Sequence, residues 1–270
     1  MVVIYSLHAS KYNIVSLYEI FIKMINKVYN MGFNGIKFDT SVPGMIPWEI
    51  VVAYFILAPL VVYGLGRRLV KSSFTTIDFV YISIGGAFSV VWEFYMGSFI
   101  ARFFPSSPFI GIEFWGRLFI LLIVASLVRK PGVGAMSLTI YTLLADLFHY
   151  GFAGQPLYFI YEAFTYGLFI DAVIIATRGN LFNIRYSDSN GTSLKTKRVV
   201  LIAIEGTIIG ILCAIPDPIF YLGFLNPLIN GAIVNWVTIQ FDVLAFMPGD
   251  TIAGILGALS GQRVARAVGH

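Results

Sequence analysis

The sequence predicts an all-α, polytopic membrane protein, a helical bundle of one extra N-terminal span followed by six, and three observations carry that prediction. Hydrophobic residues make up 58% of the 270-residue chain and charged residues only 12%, with a mean hydropathy of +0.82. A soluble domain carries roughly a quarter charged residues, so this chain lacks the polar surface that water requires. Its apolar runs are continuous rather than alternating, which fits spanning helices and argues against a porin-like barrel. Finally, Lys and Arg gather in short segments between the runs, as they do in cytoplasmic loops. That pattern accounts for the net charge of +4 without a nucleic-acid partner.

The N-terminus, MVVIYSLHASKYN, lacks the basic start, apolar centre and cleavage site of a signal peptide. Residues 13–31 interleave apolar positions with Glu19, Lys23 and Lys27. They read as an amphipathic helix lying in an interface, so 1–47 is an interfacial segment and linker. Residues 48–75 hold the extra span, Trp48 to Gly66, and a basic loop with Arg67, Arg68 and Lys71. Residues 76–270 then form the six-helix unit. Span 77–100 runs outward to Arg102 and the Pro105–Pro108 loop, and 109–128 returns to Arg129 and Lys130. Span 133–150 leads to an uncharged turn at 151–155, and 156–177 comes back to Arg178 and the hydrophilic stretch 185–197. Span 199–215 crosses outward and stops at Pro216-Asp217-Pro218. Residues 228–246 and 251–268 are both long enough to cross, but two crossings would put Arg263 and Arg266 outside. The segment 228–246, with Asn230, Asn235, Gln240 and Asp242, therefore reads as re-entrant or lying across the outer mouth, giving seven spans in all.

Ionisable groups at membrane depth are costly and point to function. On this topology Glu93, Glu113, Asp146, Glu162, Asp217, Asp242 and Asp250 fall in the outer half, opposed there by Arg102 and Arg117. Glu113 and Asp250 read as solvated acids near span ends, Asp171 and Glu205 as structural hydrogen-bonding groups nearer the cytoplasm. Trp92, Tyr95, Trp115, Tyr150, Tyr158, Tyr161 and Trp236 share the depth of the outer acids. Aromatic residues gather at membrane interfaces in any case, yet acids together with rings suit a cationic, aromatic ligand. The candidate ligand-binding residues are Glu93, Asp146 and Glu162 for the charge, with Trp92, Tyr158 and Tyr161 stacking on rings and His149 one turn after Asp146.

Small residues at four-residue spacing, Ser83, Gly86 and Ala87, let another helix approach closely. Packing within the chain explains them, as does a face for a partner subunit; Gly254, Gly257, Ala258 and Gly261 form a similar stripe in the last span. No GxxxxGK[ST] loop, HExxH, GxSxG or paired-Cys motif occurs. Three scattered histidines and the single Cys213 predict neither a metal site nor a cofactor.

Two stretches, FWGRLFILLIVASLVRKPGVGAMSLTIYTLLADLFHYGF and QPLYFIYEAFTYGLFIDAVIIATRG, resemble the YkoE-like substrate-binding (S) components of energy-coupling-factor vitamin transporters. The matching features are the turn Arg129-Lys130-Pro131-Gly132, Asp146 before Gly151, and Gly167 with Asp171 ahead of Arg178. The resemblance covers roughly residues 76–180, and 250–268 loosely; the chain departs from it in its N-terminal segment and its long 216–250 region. It implies an S-component-like core with a ligand site near the outer surface, a multi-pass location in the cell membrane, and no enzyme activity in this chain. It further implies uptake of thiamine or its pyrimidine precursor through a scaffold transmembrane subunit and two ATPase subunits, with Ser83, Gly86 and Ala87 facing the scaffold. Two other readings stand beside it: an intramembrane enzyme using Asp146, His149 and Glu162, or a structural subunit of a larger membrane complex.

Overall fold

A computed structural model describes residues 42–70, 73–151, 156–183 and 192–269; the amphipathic segment expected over 13–31 lies outside them. Among the described residues all regular structure is helical. The helices are α1 (Trp48–Leu69), α2 (Thr76–Ala101), α3 (Ile112–Val128), α4 (Val133–Phe148) and α5 (Pro156–Ala176). After a one-turn helix at Leu181–Asn183 come α6 (Thr192–Cys213), α7 (Asp217–Leu225 continuing through Asn226–Asn230) and α8 (Trp236–Ala267). Five stretches are long and apolar enough to cross a membrane: Trp48–Gly66, Thr76–Ala101, Pro156–Ala176, Thr196–Asn230 and Trp236–Ala267. Helices α3 and α4 are shorter, at 17 and 16 residues. The chain is an all-α, multi-pass membrane protein.

Local sequence sets the helix ends. Thr75 and Asp78 form a capping box at the start of α2, each side chain bonding the other's backbone N–H. Helix α3 closes on Arg129 and α4 opens after Gly132, both at positive φ (51° and 105°), so Arg129-Lys130-Pro131-Gly132 makes a tight reversal. Lys130 ties that reversal to α2 by bonding Ser73 O at 2.8 Å and pairing with Asp78. Ser126 Oγ donates to Gly261 O at 2.9 Å, which brings the end of α8, with Arg263 and Arg266, to the same end of the bundle. The basic segments thus converge on one end. At the other, Trp92 Nε1 donates to Ile112 O (3.1 Å) and Tyr95 Oη to Phe148 O (3.2 Å).

Two glycine seams bring backbones into contact. A Cβ on Gly134 would lie 2.3 Å from Gly167 O, and one on Gly254 would lie 2.3 Å from Gly206 O. The first joins α4 to the middle of α5, and the second joins α8 to α6. Most of α1 is exposed along one side, with Ile56, Leu60 and Val61 all uncovered. It is held to the bundle by Tyr54 Oη donating to Phe164 O (3.2 Å) and Tyr63 Oη donating to Asp171 (2.9 Å).

Asp171 fulfils its expected structural role. Fully buried, it also accepts from the backbone N–H groups of Gly134 (2.9 Å) and Ala135 (3.2 Å), at the N-terminus of α4 where the helix dipole favours an anion. Glu205 accepts from Phe182 N at 2.6 Å, which ties α6 to the one-turn helix at Leu181–Asn183. Asp171→Ala strands three donors in a dry interior, so unfolding in detergent is expected at a stability lower by on the order of 3 kcal/mol. Denaturant titration followed by tryptophan fluorescence measures it, and a change below about 0.5 kcal/mol contradicts the assignment.

The C-terminal region corrects the sequence reading. Residues 228–246 are not one re-entrant segment. Residues up to Asn230 finish α7, Gly231 turns the chain at φ 66°, and Asn235 caps a new helix by accepting from the N–H groups of Val237 and Thr238. That helix runs from Trp236 through Pro248 to Ala267 without a break. At 1.5 Å per residue its 32 residues span about 48 Å, more than a bilayer core of about 30 Å. Of the polar residues that looked re-entrant, Asn230 ends α7, Asn235 caps α8, and Gln240 and Asp242 sit on its first turns. The outward crossing also does not stop at Pro216: the chain kinks at Ala214–Ile215 and resumes as α7.

The small-residue stripe of α2 divides between the interior and the surface. Gly86 is buried, and a Cβ there would lie 2.8 Å from Ile140; its role is packing against α4. Ala87 is half-buried and Ser83 exposed. In α8, Gly254, Gly257, Ala258 and Gly261 are all buried inside the chain.

Candidate functional site

Three helices are locally widened into π-turns: α2 over Trp92–Gly97, α5 over Ala163–Gly167 and α7 over Asp217–Leu225. Such turns are rare and concentrate at functional sites, because the extra residue per turn re-aims side chains. Those of α2 and α7 lie toward the end of the bundle opposite the basic segments, and that of α5 lies at the middle of its helix. They supply Glu93, Tyr166, Asp217 and Tyr221 to one region, and Glu162 precedes the π-turn of α5 directly.

Arg117, five residues into α3, is at the centre of that region and only 4% exposed. Its Nη1 lies 3.1 Å from Glu93 Oε2 and 3.2 Å from Glu162 Oε1. Its Cζ sits 5.0, 4.8 and 5.2 Å from the ring centres of Phe114, Tyr141 and Tyr166. One guanidinium thus bridges carboxylates from α2 and α5 inside a cage of rings. Buried ions persist in a membrane interior only when paired in this way. Arg117 Nε and Glu162 Oε2 are buried with no hydrogen-bond partner among the described residues. Unsatisfied polar atoms of that kind are costly in a structural ion pair and serviceable in a binding site.

Two adjoining chambers open beside this triad. The first, of about 340 Å³, is lined by Arg117, Trp115, Tyr161, Tyr166, Asp217 and Asp250 among others. The second, of about 450 Å³, is lined by Tyr141, Thr142, Asp146, Phe159, Ile229 and Asn230 among others. Glu93, Glu162, Tyr150, Tyr158 and Tyr221 line both. The wall is therefore built of acids and tyrosines, with a volume suited to a small organic molecule.

Glu93, Glu162, Tyr158 and Tyr161 line the first chamber, and Asp146 lines the second. Trp92 is turned the other way, toward an apolar groove between α3 and α8. It packs so tightly on α3 that a Cβ on Gly116 would lie 1.8 Å from its Nε1. His149 stacks on Phe94 at 4.2 Å and is not among the lining residues. Among the described residues no group of three or more His, Cys, Asp or Glu could hold a metal ion, so Asp146, His149 and Glu162 do not form the constellation that an intramembrane metalloenzyme needs.

Asp250 is the main residue that sequence reasoning misjudged. It is 4% exposed rather than solvated, and its Oδ1 accepts from Trp115 Nε1 at 3.0 Å. Trp115 reaches it by lying across Gly249, where a Cβ would meet the indole at 2.3 Å. Asp217, Tyr166 and Tyr221 also join the wall. The available signal was their shared depth with Glu93 and Glu162, but nothing in one sequence says which helix faces converge. Cys213 is buried and lines the first chamber as well.

No family model, no curated protein and no solved structure matches the chain.

Proposed function

We propose that this protein captures a small organic cation, with an aromatic or otherwise flat body, in the outer half of the membrane. We further propose that it serves as the substrate-binding subunit of an ATP-driven, energy-coupling-factor-type uptake system. The observation that carries the binding reading is the charge balance of the first chamber. Five buried or half-buried carboxylates, Glu93, Glu113, Glu162, Asp217 and Asp250, line it with one guanidinium, Arg117. Removing that many acids from water is costly unless a further positive charge is supplied, and tyrosine rings on the same wall favour a cation with a flat body. The positive-inside rule assigns the basic end to the cytoplasm, which turns the chambers outward. The YkoE-like features of the middle of the chain add the transporter class, and with it a scaffold subunit and two ATPase subunits as partners.

Calorimetry on the purified protein with thiamine, its pyrimidine precursor and benzyltrimethylammonium tests the binding reading. Saturable heat with at least one cation is expected, and no heat with any of them at high micromolar concentration sinks the reading. Affinity capture from native membranes tests the transporter class: co-purifying ATPase subunits are expected, and recovery of the chain without any ATPase contradicts it.

A further inference from the structure

We infer that Asp217 and Asp250, rather than Glu93 and Glu162, form the anchor that reads the ligand's positive charge. This rests on the binding function proposed above and assigns the work within the site.

These acids are not equivalent. Glu93 and Glu162 are held by Arg117 at 3.1 and 3.2 Å, and the same guanidinium fills the space between the Phe114, Tyr141 and Tyr166 rings. The aromatic cage best suited to a ligand cation is therefore already occupied by the protein's own cation. Asp217 and Asp250 lie on the same chamber wall, from α7 and α8, and among the described residues no cation is within ion-pair distance of either. Arg117, committed to Glu93 and Glu162, attracts both only from beyond ion-pair distance. Two acids on one chamber wall with no paired cation are the feature an incoming cation neutralises best.

Each acid is also positioned for the task. Asp250 Oδ1 accepts from the Trp115 indole, which fixes the carboxylate's orientation while a carboxylate retains capacity for several further hydrogen bonds. Asp217 opens the π-wound stretch of α7, whose Tyr221 lines both chambers. A ligand whose cation sits between Asp217 and Asp250 places its body against Tyr158, Tyr161 and Tyr221. Glu93, Glu162 and Arg117, already paired with one another, then act as a partition between the two chambers. The ligand class is accordingly a compact monocation with one flat, uncharged portion, since a second strong positive charge would face Arg117.

The test compares Asp217→Asn and Asp250→Asn with the unaltered protein by calorimetry, using thiamine and benzyltrimethylammonium as cations and the uncharged pyrimidine precursor as control. Asn keeps a carbonyl oxygen for the Trp115 indole, so Asp250→Asn is expected to fold, and unchanged thermal melting checks this. Each substitution is expected to weaken cation binding at least about tenfold and to leave pyrimidine binding within about threefold. Should either variant prove unfolded, Asp217→Glu and Asp250→Glu take its place, with cation binding retained as the expected result. Unchanged cation affinity in the Asn variants overturns the anchor while leaving the binding function intact, and equal loss for cation and pyrimidine shows a merely structural role. No binding of any probe by the unaltered protein overturns the function and the anchor together.

Discussion

Arg117→Met is expected to be the most damaging single substitution in this protein, costing about 3–5 kcal/mol of stability. Met matches the length of the lost side chain and sits well among Phe114, Tyr141 and Tyr166, so packing is largely preserved. What is lost is the guanidinium that joins Glu93 and Glu162, leaving two largely buried carboxylates facing each other. Breaking a buried ion group by removing one partner is far worse than replacing the whole group with neutral residues. The triple variant carrying Arg117→Met, Glu93→Gln and Glu162→Gln should therefore recover most of the loss. Thermal melting in detergent distinguishes the cases. Melting of the single variant within a degree or two of the unaltered protein, or a triple variant no better than the single, contradicts the view that Arg117 balances these two acids.

Gly254→Leu is expected to be nearly as severe, for a reason of shape rather than charge. A Cβ at this position would lie 2.3 Å from Gly206 O, and the obstacle is backbone, which cannot swing aside as a side chain can. Helices α6 and α8 must separate, opening the longest interface of the bundle and disturbing the chamber wall that carries Asp250. Overpacking of a close-fitted interior costs about 1–3 kcal/mol and more where backbones collide. Gly64→Leu is the natural control, since a Cβ on Gly64 has no neighbour within 4 Å. Gly254→Leu should fail to give a single sharp elution peak in detergent, whereas Gly64→Leu should elute and melt as the unaltered protein does. Similar behaviour of the two variants would falsify the seam.

Much of the fold was legible because a membrane imposes simple requirements. Continuous apolar runs mark helices, and the segregation of Lys and Arg orders them, so α1 to α5 lie within a few residues of where the sequence puts them. The same segregation placed Glu93, Glu162 and Arg117 at one depth, and the site grew from that coincidence. The failures have physical reasons. Pro248 and the polar residues before it look like an interruption, yet a helix of 32 residues outruns the bilayer and can carry polar side chains on its projecting turns. Asp250 looks solvated until Trp115, 135 positions away in sequence, is folded against it. Trp92 looks like a ring for a ligand, but the space left by Gly116 draws it toward α3. The π-turns add residues to α2, α5 and α7 that a 3.6-residue period does not anticipate, so facing assignments made on that period drift just where the chambers form.

The central claim is that an outward-facing cavity within the membrane bundle holds a small cation. Its most direct test uses a single reporter thiol. In a Cys213→Ala background, which removes the only native cysteine, Tyr150→Cys places a thiol at a half-exposed position lining both chambers. Labelling with a membrane-impermeant maleimide is then followed in intact cells and in inverted vesicles, with and without thiamine or benzyltrimethylammonium. The account predicts labelling in intact cells, little in inverted vesicles, and a slower rate when the cation is present. Labelling confined to inverted vesicles, or a rate in intact cells that neither cation changes, contradicts it.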